Sequence, residues 1–379
     1  MFSYWEQSTV WDADVLIIGA GIVGLSAAAE ILEEFPGIKL TVLDRSSLPY
    51  GASWKNAGFA CFGSVSELKE DLRVLGADKM LELVTMRVEG LKRTRKRLGD
   101  QAIQFRPVGG YELLGVEDDG ILDSMHEFNN LLHDYFAIDV FRQADEFIEK
   151  FGFNQQAVKH LILNPLEGHL HTGLLMKKLS SYVSSLGGMI ISGVEVLEMN
   201  TTPVPEISFN WAHQRIRLSP KAMAICTNAF TSQLIDQDEI KPGRGLVLLS
   251  KPMDNLPFKG TFHVDKGYFY FRDLEGRLLI GGGRNLDFEN EATLQPGINP
   301  LIKERLIELV ENTLLPGSTF DLEMEWSGVM AFGEDKMPII RLQSPQVALA
   351  VRMGGMGVAI AGKAGELVKK CLEPILRTI

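Results

Sequence analysis

Apolar positions along the chain follow two rhythms, one of strands and one of helices. Val15–Ile18 is an unbroken apolar run, as a strand buried on both faces requires. An Ala-rich helical stretch follows to about Glu34, then a second strand over Lys39–Leu43. Apolar residues recur at helical spacing across Ser66–Leu98, whereas "QFRPVGGYELLG" alternates like a strand. Residues 118–150 read as helical and acidic, a cover for a sheet. Glu167–Met199 reads as turn, amphipathic helix, Gly-Gly cap and strand, and Ala222–Phe230 as a buried strand entering a turn. "GLVLLSKP", "GYFYFRD" and "GRLLIGGG" are β-rich runs separated by turns, the pattern of an antiparallel sheet. A helix near Leu301–Thr313 precedes "WSGVMAFGEDKMPII", the strand "QVALAVR", the loop "MGGMGV" and a closing helix from Ala359 to about Leu372.

This order predicts two interleaved domains rather than two sequential ones, and 379 residues are enough for both. With 45% hydrophobic and 23% charged residues the chain is an ordinary globular one. A net charge of −11 argues against a nucleic-acid partner, which would need a concentrated basic face. The one basic run, Leu91–Gly99, is expected to be a solvated helix face. Cys61, Cys226 and Cys371 are far apart with no CxxC pair, which predicts a reducing compartment and no structural zinc. The N-terminus lacks the features of a signal peptide, and Val15–Ala29 is too short to span a bilayer, so a cytoplasmic protein with no membrane span is expected. The aromatic leader (Phe2, Tyr4, Trp5, Trp11) is expected to dock on the protein's own surface.

The strongest chemical signal is Gly19-Ala20-Gly21-Ile22-Val23-Gly24, a GxGxxG between strand and helix, with Asp44-Arg45 closing the second strand. Gly19 serves the tight turn and Gly21 lets the backbone approach a pyrophosphate. Gly24 allows close helix–strand packing, and Asp44 is placed for ribose hydroxyls. A dinucleotide site follows; the motif by itself does not separate NAD from FAD. Soon after comes "GASWKNAGFACFG", residues 51–63, with glycines at 51, 58 and 63 and little room for regular structure.

Taken with "ICTNAFTSQL", "YFYFRD…GRLLIGGG", "WSGVMAF…MPII" and "GGMGVAIAGKAGEL", this segment resembles the FAD-dependent D-amino-acid oxidase, glycine oxidase and sarcosine oxidase superfamily. The resemblance runs from Val15 to Leu372. It implies an α/β fold in which a Rossmann-like, glutathione-reductase-type FAD-binding domain (residues 12–100, 160–235 and 326–379) is interleaved with an antiparallel-sheet substrate domain of α+β type (101–159 and 236–325), after an extension over 1–11. It further implies that Ala52, Ser53, Asn56, Ala57, Gly58 and Phe59 pass along the flavin, joined by Val194, Thr227 and Asn228. Backbone N–H groups of Gly58 and Phe59 would lie near the reactive edge. The loop Gly354, Gly355, Met356, Gly357 and Val358 would bring a helix N-terminus to the flavin, with Met356 replacing the common histidine. Lys55 stands where relatives such as dimethylglycine dehydrogenase carry a flavin-linked histidine, and no cysteine lies in Trp326–Pro338, so the FAD is expected to be non-covalent. Cys61 is expected to be a small buried filler.

The implied reaction is hydride removal from the carbon beside a neutral amine, giving an imine that water hydrolyses, with dioxygen or an electron carrier as reoxidant. Tyr268 matches a substrate-side tyrosine of glycine oxidase, and Tyr270 is expected on the opposite face. The arginine that glycine oxidase uses for a carboxylate falls at Met330, so Lys55, Arg272 or Arg352 takes over or the substrate, a small amine or amino acid, lacks that group. Leu279 lies near the position of an oxygen-activating lysine, which keeps a dehydrogenase open beside the oxidase. A tRNA-modifying activity, a non-catalytic flavin-binding protein and an NAD-dependent dehydrogenase are the remaining alternatives.

Overall fold

In the computed structural model, which describes residues 3–48, 50–118, 120–211 and 214–379, the run Val15–Ile18 is fully buried at the centre of a six-stranded sheet. Its order is Ile339–Ser344, Val347–Val351, Ala222–Ile225, Val15–Ile18, Leu40–Asp44, Met189–Ser192. All pairings are parallel except that of the first two strands. Both faces are covered, which is why the central strands are apolar at every position.

A second sheet of eight strands runs Leu322–Phe332, Lys241–Ser250, Arg277–Gly282, Phe269–Leu274, Thr261–Val264, Gly110–Leu114, His160–Asn164, Arg142–Gln143. Only Thr261–Val264 with Gly110–Leu114 is parallel. His160–Asn164 thus belongs to this sheet, and Leu322–Phe332 runs across residue 326 within it. A three-stranded satellite sheet (Val196–Asn200, Glu206–Trp211, Gln214–Leu218) was not legible as such in the sequence.

Helices depart from expectation where backbone geometry intervenes. The stretch Ser66–Leu98 is two helices, Val65–Leu75 and Ala77–Leu98, broken at Gly76, whose φ of +79° no helix tolerates. "GASWKNAG" contains a short helix, Ala52–Lys55. The closing helix runs farther, Gly357–Leu376, burying Val358, Ile360, Val368 and Leu372 at about 2 kcal/mol per side chain. It crosses Ala77–Leu98 and Ile22–Glu34 through small residues. A Cβ on Gly362 would come 2.3 Å from the Gly90 carbonyl oxygen, and one on Gly365 2.6 Å from the backbone of Ser26.

The basic run is a solvated face only in part: Lys92 and Lys96 are exposed, whereas two of its arginines pair with other helices. Arg93 and Arg97 pair with Glu30 across this crossing, Arg97 also with Glu33 and Arg93 with Glu366. The run lies where three helices converge, and acids on the two partners face it. Glu366 also binds Lys363 and Lys370. Burial acts to raise its pKa, but those hydrogen bonds and the charge of Arg93 outweigh it and hold the carboxyl at about 2. A depressed carboxyl stabilises the fold above its unfolded pKa and loses that contribution as pH falls through the folded value. Glu366→Gln is therefore expected to cost about 2 kcal/mol at neutral pH. Its thermal midpoint should converge on the wild type's as pH falls from about 4 toward 2, checked by calorimetry across that range.

The aromatic leader docks only in part. Trp11 packs on Phe209 and Trp211 of the satellite sheet, with ring centroids 5.3 and 5.9 Å away. Tyr4 and Trp5 are 72% and 73% exposed, because the capping box of Ser3 with Glu6 winds them into a surface turn. Phe2 lies outside the described residues. No helix among the described residues is long and apolar enough to cross a membrane.

Candidate active site

Between the two sheets lies a cavity of about 1150 Å³. One end is the GxGxxG turn. Gly19 has φ +105°, and a Cβ on Gly24 would come 2.0 Å from the Gly19 carbonyl oxygen, so the helix Ile22–Glu34 approaches the turn as closely as backbone permits. Asp44 accepts the Ala20 amide on Oδ2 and the Ser46 amide on Oδ1, both at 2.9 Å, which fixes the carboxylate at the end of its strand. Ser53 Oγ accepts from the Ile22 amide at 2.9 Å and so ties the 51–63 stretch to the first helix.

The closing helix ends at the same cavity. Gly354 and Gly355, at φ +57° and +81°, turn the chain so that Met356, Gly357 and Val358 reach the wall at its N-terminus. Two helix N-termini therefore face one cavity, and each supplies unsatisfied amides and a positive dipole end. That is what a dinucleotide's phosphates and other anionic groups require.

The opposite wall is the eight-stranded sheet. Tyr268, Tyr270, Arg284, Phe288, Met330 and Phe332 line it. The Arg284 guanidinium lies 3.8 Å from the ring centroid of Phe332 and 4.7 Å from that of Phe288. Among the described residues it has no carboxylate partner within salt-bridge distance.

A family model described as FAD dependent oxidoreductase matches residues 14–370. The chain belongs to this family. "Probable oxidoreductase OrdL" of Haemophilus influenzae is 22% identical over 391 residues, covering 98% of this chain and 85% of that protein. Glycine oxidase from Geobacillus kaustophilus superposes with a TM-score of 0.76 at 16% identity, covering 95% of this chain and 94% of that one. L-proline dehydrogenase from P. horikoshii gives 0.73 at 16% identity, covering 94% and 92%. The protein is an FAD-dependent oxidoreductase, and the residues around the cavity fit that cofactor: a glycine turn, a fixed acid and two helix N-termini converge on it.

Of the residues expected in this flavoenzyme's site, Gly19 to Val23, Asp44, Arg45, Ala52, Ser53, Asn56, Ala57, Phe59, Val194, Thr227, Asn228 and Gly354 to Val358 line the cavity. Lys55, Tyr268, Met330 and Met356 do as well. Gly24 and Gly58 lie behind the wall. Gly58 is a glycine because a Cβ would come 2.3 Å from the Leu170 carbonyl oxygen, not because of anything in the cavity. Its amide donates to Asn56 Oδ1 at 2.9 Å and does not point into the cavity. The Asn56 side chain is spent on its own loop, donating to Ala52 and Ser53 carbonyls and accepting from Thr172 Oγ1. Arg45 lies flat over Phe230 at 3.8 Å.

Three expectations for the substrate side are corrected. Tyr268 and Tyr270 both line the cavity, because residues two apart point the same way along an extended chain. Arg272 is only 3% exposed and absent from the wall; it sits one further step along that face, where burial lowers its pKa to about 10. Arg352 is committed elsewhere, to Asp335 at 2.8 Å and the Met337 carbonyl at 3.0 Å. Cys61 is buried with its thiol 3.5 Å from Thr261 Oγ1, and burial pushes its pKa far up, so it fills space as a neutral thiol on the wall.

Arg284 is the residue that sequence reading missed. Its Cδ lies 3.3 Å from where a Cβ of Gly243 would be, and Gly243 is the register partner of Met330. The guanidinium thus crosses a glycine to reach the neighbourhood of Met330. A basic residue two positions after the strand Arg277–Gly282 was the available signal.

Proposed function

We propose that the protein oxidises the CH–NH bond of an amino acid or secondary amine, with FAD held non-covalently between the two sheets. The observation that carries this reading is one continuous cavity in which the dinucleotide cradle faces two tyrosines and an arginine that has no salt-bridge partner among the described residues. Glycine oxidase and L-proline dehydrogenase, whose fold the chain shares, act on such bonds. FAD, when bound, supplies the hydride acceptor.

In this reading Asp44 holds ribose hydroxyls and the amides after Ile22, whose own amide goes to Ser53, hold the pyrophosphate. The N-terminus of Gly357–Leu376 places a positive dipole end against the flavin, a role that Met356 leaves to the backbone because it has no capping group. Arg284 holds a substrate carboxylate, its stack on Phe332 fixing the fork in advance. Tyr270 offers a phenol whose pKa burial pushes up to about 12, so it stays a hydrogen-bond donor at any working pH. Lys55, whose ammonium lies 4.9 Å from the Tyr50 ring centroid, is a further cation at the wall. A non-oxygen electron acceptor is the second reading, favoured by Leu279. That side chain is 2% exposed and packs with Ala57, Val247 and Leu249, so position 279 itself carries no cation to assist dioxygen.

The test is the visible spectrum of the purified protein, recorded anaerobically while amino acids and secondary amines are added in turn. Bleaching of the flavin band by a member of this set is the expected result, and slow recovery in air would select the non-oxygen acceptor. A flavin band that no amine bleaches would overturn the CH–NH reading.

A further inference from the structure

Behind the cavity wall lies a polar chamber that the reading above leaves unused. One register row crosses the larger sheet: Glu112 beside His263, His263 beside Tyr270, Tyr270 beside Gly281. His263 and Tyr270 line the cavity, and Glu112 lies behind them, 3% exposed. A separate void of about 10 Å³ is walled by Glu112, His263, Ser64, Asn164 and Glu167. That is room for one water. Two buried groups on its wall, Nε2 of His263 and Nδ2 of Asn164, have no hydrogen-bond partner among the described residues. Buried polar atoms of this kind find partners in ordered water.

The two acids are held but not neutralised. Glu112 Oε1 accepts from Ser64 Oγ at 3.0 Å and the Ser66 amide at 3.2 Å, and also from the Ser66 hydroxyl. Glu167 Oε1 accepts the amides of Phe62 at 2.7 Å and Gly63 at 3.2 Å. Cys61 Sγ, a Glu167 oxygen and a ring nitrogen of His263 lie within 4.8 Å of one another. Around them stand Glu67 and Asp71 from the helix Val65–Leu75, Arg87 from Ala77–Leu98, and Lys336. Lys336 lies 3.0 Å from Asp71 and 3.9 Å from Glu67, and Arg87 lies 3.5 Å from Asp71. Lys336 and Arg87 are thus taken by Glu67 and Asp71. Arg272, the register partner of Thr261 and close to Cys61, keeps Nε and Nη1 buried without a hydrogen-bond partner among the described residues. Among those residues none of the three forms a salt bridge with Glu112 or Glu167. Burial pushes both of those carboxyls up to about 7, and the charge of Glu67 adds to it. Burial lowers the pKa of His263 against a smaller opposite pull from Glu67, so the imidazole keeps a free lone pair near neutral pH.

We propose that His263, linked across the one-water void to Glu112 and Glu167, takes the proton that the substrate ammonium must lose before hydride leaves its carbon. The proposal rests on the CH–NH reading. One substrate N–H bond breaks, its electron pair stays on the amine nitrogen, and the proton bonds to the neutral imidazole. The imidazolium then releases a proton from its other nitrogen, through the water, to the carboxylate of Glu112 or Glu167. The ring is restored, and no oxidant or reductant is consumed. The final acceptors, Glu112 and Glu167 at about 7, titrate near the working pH, as general base catalysis favours.

The test follows the anaerobic rate of flavin bleaching by the reducing amine against pH, for the wild type, His263→Asn, Glu112→Gln and Glu167→Gln. Infrared spectra of the same proteins, without substrate, report protonated carboxyl groups. In the wild type the rate should rise through an apparent pKa near neutrality. In His263→Asn that limb should move toward the amine's own value of about 10, the rate near neutral pH falling about 100-fold and recovering in alkali. Each Glu→Gln variant keeps its hydrogen-bond acceptor and should lose a protonated-carboxyl band that the wild type shows near neutral pH. An unmoved limb in His263→Asn, with substrate still bleaching the wild type, overturns the relay and leaves the CH–NH reading intact. Carboxyl bands that neither Glu→Gln variant alters overturn it independently of any substrate. A wild type that no amine bleaches removes the CH–NH reading and the relay with it.

Discussion

Gly24→Leu is expected to purify, if at all, with less than about a tenth of the wild-type flavin absorbance relative to protein absorbance. The first side-chain atom would sit 2.0 Å from the Gly19 carbonyl oxygen and 3.2 Å from Ile17. Neither neighbour can yield, since Ile17 is fully buried in the central strand and a Cβ on Gly19 would itself meet the Cys226 carbonyl oxygen at 2.7 Å. The helix Ile22–Glu34 must therefore move away from the turn, taking with it the Ile22 amide that Ser53 accepts. Overpacking of this kind costs about 3 kcal/mol or more, and here the displaced atoms are those that would cradle the pyrophosphate. Gly115→Ala is the control, because a Cβ there meets nothing closer than 3.4 Å and should leave flavin content unchanged. Equal flavin content in Gly24→Leu and wild type would show that the turn does not hold the cofactor.

Arg284→Met is expected to raise KM for carboxylate-bearing substrates by about 100-fold or more, with kcat changed much less, since a charge-assisted pair in a desolvated site is worth about 2–5 kcal/mol. Methionine keeps an apolar stem against Phe332, so the sheet should hold its shape. Amines without a carboxylate should lose little or gain. Steady-state kinetics on one substrate of each kind, beside the thermal midpoint, separates the outcomes. An unchanged KM for both would remove Arg284 from substrate binding and return the role to Lys55, the remaining candidate cation on the cavity wall that sequence reading had named.

The glycine-turn end of the cavity was legible because its signal is local. Glycine spacing, an apolar run, a helix and an acid at the end of the second strand all fall within Val15–Asp44, and backbone sterics alone demand glycine at 19 and 24. The same holds for the closing loop, where Gly354 and Gly355 need positive φ next to a helix start. Harder to read was the 51–63 stretch. Its glycine at 58 serves a protein carbonyl, and its asparagine serves its own loop, although the family resemblance implied ligand contacts.

By itself the sequence determined the βαβ unit and the interleaved order of strands and helices, which rest on periodicity and short-range sterics, and the family, which rests on the resemblance of its motifs. Tertiary structure alone decided which charged groups are free to act. Arg93, Arg97 and Arg352 look alike as letters with Arg284, yet three are neutralised by acids from distant elements and the fourth has no such partner among the described residues. The same applies to Glu112, Glu167 and His263, which meet only because strand register sets Glu112 beside His263 and the turn after His160–Asn164 brings Glu167 beneath them. Register and desolvation are properties of the packed chain, and they set both the reach and the protonation of these groups.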